Sequence, residues 1–244
     1  NDLVFGNAGS DTIYGGDGND TIVGGGLYDY YYSNYNEFLD GGSGNDYIIG
    51  GNGNDVIYGG HDNDTLIGGG GNDNLDSGAG SDYMNGGTGS DRYEFGRGYG
   101  KDTLYDFTYT YGGYYGANYN EKNRLVLNNV NSTDVTLTRE NYDLLVSIKG
   151  TSDSLRVSYY FYQSNYYQYG VQSITFANGV VWDREAISRN EAVANKEITG
   201  TNGYDYLTGG NGNDTIRGLG GYDYLYGYGG NDTIEGGSGF DYVD

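Results

Sequence analysis

The chain has no proline and no cysteine in 244 residues. Without cysteine there is neither a disulfide framework nor a thiolate metal site, so a secreted protein of this composition must take its stability from elsewhere. Basic residues are scarce: 12 Lys and Arg face 34 Asp and Glu, for a formal net charge of −22. Such a chain is expected to repel nucleic acid and anionic membranes, and to repel itself when compact unless cations neutralise it. The charge balance therefore points to bound metal as a condition of folding. No stretch is long or apolar enough to span a bilayer. The start, Asn1-Asp2-Leu3-Val4-Phe5, has neither the basic region nor the apolar core of a signal peptide. An export signal is expected outside these residues, or of another kind.

Several catalytic patterns are missing. There is no His-Glu-x-x-His, hence no zinc-protease centre, and no Gly-x-Ser-x-Gly nucleophile elbow. The single histidine, His61, has no second histidine to form a dyad or a zinc site and reads as a loop residue. A glycosidase built on paired carboxylates is disfavoured because the repeat described next accounts for the acids. The run Gly96-Arg97-Gly98-Tyr99-Gly100 is a weak phosphate-loop signal with no βαβ context after it. The chain is expected not to be an enzyme.

What is abundant is glycine, 48 residues, far above the usual share of roughly 7%, and tyrosine, 31 against 7 phenylalanines. Regular Ile, Leu and Val exclude a flexible linker, and the wrong glycine period excludes collagen. Aspartate sets the period. Asp2, Asp11, Asp20 and Asp29 are nine apart, as are Asp46, Asp55, Asp64, Asp73, Asp82 and Asp91, and later Asp205, Asp214, Asp223, Asp232 and Asp241. Glu37 lies nine before Asp46 and eight after Asp29, and reads as an acidic stand-in after a one-residue deletion. Two residues after each acid sits an apolar or aromatic residue: Val4, Ile13, Ile22, Tyr31, Leu39, Ile48, Ile57, Leu66, Leu75, Met84 and Tyr93, then Leu207, Ile216, Leu225, Ile234 and Val243. The unit is Gly-Gly-x-Gly-x-Asp-x-U-x with U a large apolar residue, clean in Gly15 to Val23, Gly41 to Ile49, Gly50 to Tyr58 and Gly209 to Arg217.

The x-U-x part reads as a short strand with one side chain turned inward, and the glycine part as a tight turn whose carbonyls converge because no side chain intervenes. Carbonyl and carboxylate oxygens together are hard ligands that suit Ca²⁺. Two nonapeptides make a coil, and stacked coils make two parallel sheets around a thin core of U residues. Turns two repeats apart then lie together, pairing Asp46 with Asp64, Asp55 with Asp73, Asp64 with Asp82, Asp73 with Asp91, Asp205 with Asp223 and Asp214 with Asp232. Carboxylates stacked at roughly 5 Å without a cation would repel strongly.

This nonapeptide resembles that of the RTX (repeats-in-toxin) proteins over residues 1–104 and 200–244. The resemblance implies an all-β fold: two right-handed parallel β-rolls, a mostly β capping segment between them and one short helix. It implies multiple Ca²⁺ ions. Their carboxylate ligands would be Asp11, Asp20, Asp29, Asp46, Asp55, Asp64, Asp73, Asp82, Asp91 and Asp102, then Asp205, Asp214, Asp223, Asp232 and Asp241. Carbonyls would come from Gly15, Gly18, Gly41, Gly44, Gly50, Gly53, Gly59, Gly68, Gly86, Gly89, Gly209 and Gly212. Leu27 and Asp62 replace the third glycine of their repeats and Asn7 the second, and Tyr28 to Asn36 loses the pattern, which makes ion sites there, and any using Glu37, the weakest of the set. Asn-x-Thr at Asn19, Asn63, Asn213 and Asn231 is a by-product of the repeat rather than a glycosylation signal.

Arg92 to Leu104 resembles the segment that closes repeat blocks in RTX cytolysins and the adenylate cyclase toxin, with Asp102 and Leu104 completing the last coil. Short strand signals follow at Arg124 to Leu127, Val135 to Arg139, Leu144 to Ile148, Leu155 to Tyr159, Val171 to Phe176 and Val180 to Trp182, the last two joined by Asn178-Gly179. Asp183 reads as the N-cap of a helix over 184–195. The expected division is a first roll over 1–104, a tyrosine-rich loop, cap and helix over 105–199, and a second roll over 200–244. The tyrosine clusters Tyr28 to Tyr35, Tyr105 to Tyr119 and Tyr159 to Tyr169 are expected to pack as loop insertions, in preference to an aromatic face for sugars, peptides or a receptor. Both ends fall inside a repeat, so a longer parent is expected, secreted by type I export or held at the bacterial surface. A toxin, an adhesin or surface-layer protein, and a secreted hydrolase or epimerase are the parents considered. Partners are calcium and, through the parent, a host-cell or surface receptor or glycan, with no nucleic acid and no transmembrane segment.

Overall fold

The computed structural model describes residues 1–244 except 26–33, 107–108, 111–113, 116–120, 141, 162–169, 191–195 and 211. The expected ligand Asp29, the inward residue Tyr31 and most of the three tyrosine clusters lie outside the described residues. The chain forms two compact units, residues 1–191 and 192–244.

Among the described residues of the first unit each nonapeptide contributes one strand, and successive strands go to opposite sheets. One sheet stacks Leu3–Asn7, Thr21–Gly25, Tyr47–Asn52, Thr65–Gly70, Tyr83–Thr88 and Lys101–Leu104 in parallel. The other stacks Thr12–Asp17, Phe38–Ser43, Val56–His61, Asn74–Ala79 and Arg92–Glu94. The register places every U residue over the next, as in Ile48 over Leu66 over Met84 and Leu39 over Ile57 over Leu75. These side chains are fully buried. The position two residues on is also buried but is usually glycine, so each strand brings one large apolar side chain inward and the core is a single file. The fold is the expected parallel β-roll.

Turns between strands need backbone that side chains resist. Gly60 has φ +117°, and a Cβ there would strike the carbonyl of Gly42 in the preceding coil. Where glycine is missing, the chain still adopts positive φ: Asn7 at 65° and Asp62 at 76°, residue types that tolerate the left-handed region, but also Leu219 at 75° and Tyr228 at 67°.

The middle segment continues the same two sheets. Ser154–Val157 adds in parallel to Lys101–Leu104, and Asp143–Ile148 and Val135–Glu140 then follow antiparallel. Arg124–Leu127 adds in parallel to Arg92–Glu94, followed by Ser173–Phe176 and the antiparallel Val181–Asp183. These strands lie at the expected places, and Gly179 at φ +78° makes the expected hairpin turn. The single file widens into an ordinary core that includes Phe95, Leu125, Leu127, Val146, Ile174 and Ile187. The helix is Arg184–Asn190, started by Asp183, whose Oδ1 accepts the Ala186 amide at 2.8 Å. The Arg184 guanidinium lies 4.2 Å over the Tyr160 ring and donates to the Tyr160 carbonyl at 2.7 Å.

The second unit repeats the roll in small. Glu197–Thr199, Thr215–Arg217 and Thr233–Glu235 form one parallel sheet, and Tyr206–Gly210, Tyr224–Tyr228 and Tyr242–Val243 another. Only Ile216 and Leu225 of its U residues are fully buried.

Because each inward residue of the first roll is a whole layer of core, Leu66→Ala should cost about 2–5 kcal/mol. The check is urea unfolding at saturating calcium, with Tyr47→Ala, on the outer face, losing much less.

Candidate metal centre

Each described repeat aspartate occupies the residue before its strand, at the mouth of the turn, except Asp102, the second residue of Lys101–Leu104. Its carboxylate does two separate things. One oxygen, Oδ1, accepts the backbone N–H of the aspartate one coil earlier. Asp46 N–H donates to Asp64 at 2.8 Å, Asp64 to Asp82 at 2.8 Å and Asp82 to Asp102 at 3.1 Å. On the other side Asp55 N–H donates to Asp73 at 2.8 Å and Asp73 to Asp91 at 2.8 Å. The second unit does the same for Asp205 with Asp223 at 3.0 Å, Asp214 with Asp232 at 2.8 Å and Asp223 with Asp241 at 3.1 Å. All six pairs expected across coils are thus brought together.

The other oxygen, Oδ2, is buried and has no hydrogen-bond partner in Asp11, Asp20, Asp46, Asp55, Asp64, Asp73, Asp82, Asp91, Asp102, Asp214 and Asp223. Where the repeat keeps its first glycine, as it does for all of these except Asp82, which has Ser77 there, and Asp102, which has Arg97, Oδ2 points at that glycine. A Cβ on Gly59 would lie 2.5 Å from Asp64 Oδ2 and 2.5 Å from the Ser77 carbonyl oxygen of the next coil. At Gly68 the same point is bordered by Asp73 Oδ2 and, at 2.6 Å, the Gly86 carbonyl oxygen, and at Gly15 by Asp20 Oδ2 at 2.6 Å and the Gly41 carbonyl oxygen at 2.5 Å. Gly41 with Asp46, Gly50 with Asp55 and Gly209 with Asp214 repeat this arrangement. A carboxylate oxygen and a carbonyl oxygen therefore converge where any side chain would intrude. The third glycines lie farther along the turn: the carbonyl of Gly18 faces Gly44, that of Gly53 faces Gly71 and that of Gly212 faces Gly230, while the Gly89 amide donates to Glu121 Oε1 at 3.2 Å.

A row of buried oxygens with no proton donors attracts a hard cation. Among the described residues no three acidic or histidine side chains cluster as a metal site, so any ion depends on backbone carbonyls for most of its shell. One cation is built in. Lys196, nine before Asp205, holds the place of a ladder aspartate: its N–H donates to Asp214 Oδ1 at 2.6 Å and its ammonium to the Gly209 carbonyl at 2.5 Å. Burial raises the carboxyls of Glu37, Asp46 and Asp82, and lifts Asp55, Asp64 and Asp91 to about 7 and Asp73 and Asp102 to about 8; the bond from the amide opposes the shift throughout, while neighbouring ladder carboxylates add to it except at Asp82, and at Asp91, where Glu121 does so instead.

Some ladder members depart from the regular 18-residue step or from its chemistry. Asp11 N–H donates to Glu37 Oε2 at 2.6 Å and Glu37 N–H to Asp55 Oδ1 at 2.8 Å, so Glu37 is the rung 26 residues after Asp11. The regular step is 18, as between Glu37 and Asp55. The irregularity is thus an eight-residue insertion rather than a one-residue deletion. At Gly24 the point that elsewhere meets Oδ2 is met by Glu37 Cγ at 2.7 Å, so a methylene fills the cradle. Asn123 succeeds Asp91, accepting its N–H at 2.7 Å. Asp153 closes the other side, accepting from Gly98 at 3.0 Å and Gly100 at 3.1 Å. Asp205 differs from its fellows, since its Oδ2 accepts from the Thr201 amide at 2.6 Å and hydroxyl at 3.0 Å. The asparagine before the aspartate also forms a ladder, in the opposite sense: Asn63 N–H donates to Asn45 Oδ1 at 2.8 Å and Asn72 N–H to Asn54 Oδ1 at 2.7 Å.

The model of the RTX calcium-binding nonapeptide repeat, four copies long, matches residues 1–31, 31–66, 62–93, 197–225 and 208–243, more than half of the chain. The chain belongs to the RTX calcium-binding repeat family. Its repeats bind multiple Ca²⁺ ions. A haemolysin-type calcium binding protein related domain matches residues 143–186, within the segment that ends the first roll. No curated protein matches the RTX chain. Among solved structures it is similar to the extracellular lipase LipA from Serratia marcescens, at 17% identity and a TM-score of 0.36 over 89% of this chain and 34% of that one. The chain thus spans about a third of that protein's length.

Asp73→Asn keeps an oxygen for the Asp55 amide but removes the charge at Oδ2. It should raise the calcium midpoint several-fold while leaving the fold intact at saturating calcium, measured by circular dichroism and calorimetric ion counting. Asp73→Ala should cost a further 1–3 kcal/mol or so by stranding the Asp55 N–H.

The raised carboxyls also set a pH dependence. A carboxyl whose folded pKa lies at 7–8, against about 4 unfolded, favours the folded state when protonated. That stabilisation is fully present below about pH 4 and lost as pH rises through 7–8. The calcium-free chain should be more structured at pH 5 than at pH 8. Calcium must displace those protons, so its midpoint should fall as pH rises from 6 to 8. A midpoint unmoved by pH would contradict the assignment of these carboxyls.

Proposed function

We propose that the chain is a structural, calcium-gated folding module of a longer exported bacterial protein, with the ladder aspartates and first-glycine carbonyls as its ion ligands. The observation that carries this reading is the row of buried, partnerless Oδ2 atoms, which at Asp11, Asp20, Asp46, Asp55, Asp64, Asp73, Asp214 and Asp223 face a carbonyl of the next coil. Bound calcium supplies positive charge to that row and accepts its oxygens. The chain's own residues supply the rest. Oδ1 clamps the coil before it, the first glycine leaves room, and the U side chain seals the strand inside.

The net charge of −22 makes the same residues a switch. At cytosolic calcium the stacked carboxylates repel and the chain stays open, which suits passage through a narrow exporter. At the calcium of extracellular sites, on the order of 10⁻⁴–10⁻³ M, binding to the folded state alone drives folding. Among the described residues no helix is long and apolar enough to cross a membrane. For the parent, a secreted toxin is the reading supported by the closing segment Arg92 to Leu104, whose strands Arg92–Glu94 and Lys101–Leu104 join the repeats to the capping strands. The module itself is assigned no catalysis. A receptor or glycan, where the parent meets one, is contacted outside the ladder.

Calcium titration of the chelated chain at neutral pH, followed by far-ultraviolet circular dichroism, tests the switch. The expected course is a disordered spectrum changing cooperatively to β in the sub-millimolar to millimolar range. A fully folded spectrum in excess chelator would overturn the proposal.

A further inference from the structure

The second unit carries an ordered array of surface tyrosines that the calcium ladder does not use. Tyr206, Tyr224 and Tyr242 are in register on three successive strands. Tyr226 stands two residues along on the same face, with ring centroids 5.3 Å from Tyr206 and 5.7 Å from Tyr242. Tyr224 lies 6.4 Å from Tyr206, stacked at 28° between planes, and 5.8 Å from Tyr242 at 32°. Tyr206 is 59% exposed and Tyr242 49%. Every pair named joins one coil to the next.

We propose that this ladder is a site of oxidative tyrosine cross-linking, in which dityrosine bonds join neighbouring coils of the second roll. The co-reactant is a peroxide acting through a one-electron oxidant such as a haem peroxidase. Each of two phenols gives up one electron and its hydroxyl proton. The two phenoxyl radicals couple through ring carbons ortho to oxygen, forming one C–C bond. The two hydrogens on those carbons then move to the oxygens and restore both phenols. Overall two tyrosines lose two electrons and two protons, and hydrogen peroxide takes both to become two waters.

The geometry favours coupling within the ladder. Radicals on adjacent rungs already lie at ring-contact distance, and half-exposed side chains can make the small swing that bond formation needs. A chain with no cysteine has no disulfide to hold its coils. Here dityrosine would staple coils 18 residues apart and remove loop entropy from the unfolded state as a disulfide does. The linked roll would then depend less on calcium.

The test uses the full chain, dilute and calcium-loaded, treated with a haem peroxidase and limiting hydrogen peroxide. Dityrosine fluorescence, gel mobility and peptide mapping are read together. Expected are monomers in which Tyr206 is linked to Tyr224 or Tyr226, and Tyr242 to Tyr224 or Tyr226. Those links should be lost in excess chelator and in Y224F/Y226F, which keeps its calcium-induced β spectrum. After chelation the linked 192–244 region should resist proteolysis that digests the unlinked one. Links mainly between chains, links scattered over tyrosines outside 204–242, or equal yield in chelator or in Y224F/Y226F would overturn the proposal. Should Y224F/Y226F fail to fold, Y242F at the exposed end must lose only the links to Tyr242, and retention of the full link pattern would count against the site.

Discussion

Carboxylates placed one coil apart, at the roughly 5 Å spacing of parallel strands, repel one another in a buried row, and every other feature of the rolls follows from how that repulsion is met. Half of each carboxylate is answered by the protein. Oδ1 accepts an amide of the neighbouring coil, and this bond runs unbroken from Asp20 through Asp46, Asp64 and Asp82 to Asp102. The asparagine ladder beside it runs the other way, so two consecutive N–H groups of each turn are satisfied by opposite neighbours. A coil is therefore gripped from both sides by side chains that local sequence alone supplies. The second oxygen is left for something the polypeptide does not contain, and a single-file core cannot make up for it. Stability is thus conditional by construction: the hydrophobic term is sized to complete folding once charge is neutralised, not to force it.

The repeat made most of this legible in advance. A period of nine locates the carboxylates, the inward residues and the glycines together, and an 18-residue coil follows from two strands per turn of the roll. The structure departs from that reading where the period continues in sequence but not in space. Asp29 keeps perfect spacing after Asp20, yet the rung after Asp11 is Glu37, because eight extra residues separate them. Spacing counts residues, whereas the rung is chosen by which carboxylate reaches the waiting amide. The same limit hid Asn123 and Asp153, which lie 32 residues from Asp91 and more than 50 from Gly98 and Gly100. It hid Lys196 for the opposite reason: it stands in phase with the aspartates but carries the wrong charge, so a search for acids passes over it.

Lys196 and Glu37 show two ways of doing without an ion at a single rung. Glu37 places a methylene where Oδ2 would be, so no carboxylate oxygen faces the carbonyl there. Lys196 answers the demand for charge covalently, with an ammonium on the Gly209 carbonyl. A glycine carbonyl that holds a tethered cation at one rung is chemically fit to hold a free one at the next. The thinner second unit needs that help more, since among its described residues only Ile216 and Leu225 bury a large apolar side chain.

Ending a charged ladder is a separate problem from extending it. A last aspartate would leave one oxygen facing no further coil. At the end of one sheet the chain substitutes Asn123, whose Oδ1 still accepts the Asp91 amide while its Nδ2 donates to Asp106. Asp106 is itself buried and accepts from the Tyr93 hydroxyl at 3.0 Å, and that hydroxyl accepts from Gly86 N–H at 2.9 Å. Burial, with the Asp91 carboxylate nearby, raises the Asp106 carboxyl well above the usual carboxylate range, against the bonds from Tyr93 and Asn123. A carboxyl, a phenol and an amide close the row with hydrogen bonds. Beyond them Arg124–Leu127 and Ser173–Phe176 continue in parallel before Val181–Asp183 turns antiparallel, and the core broadens to Leu127, Val146 and Ile174, so the segment that ends the ladder can be held by burial where the ladder itself is held by charge.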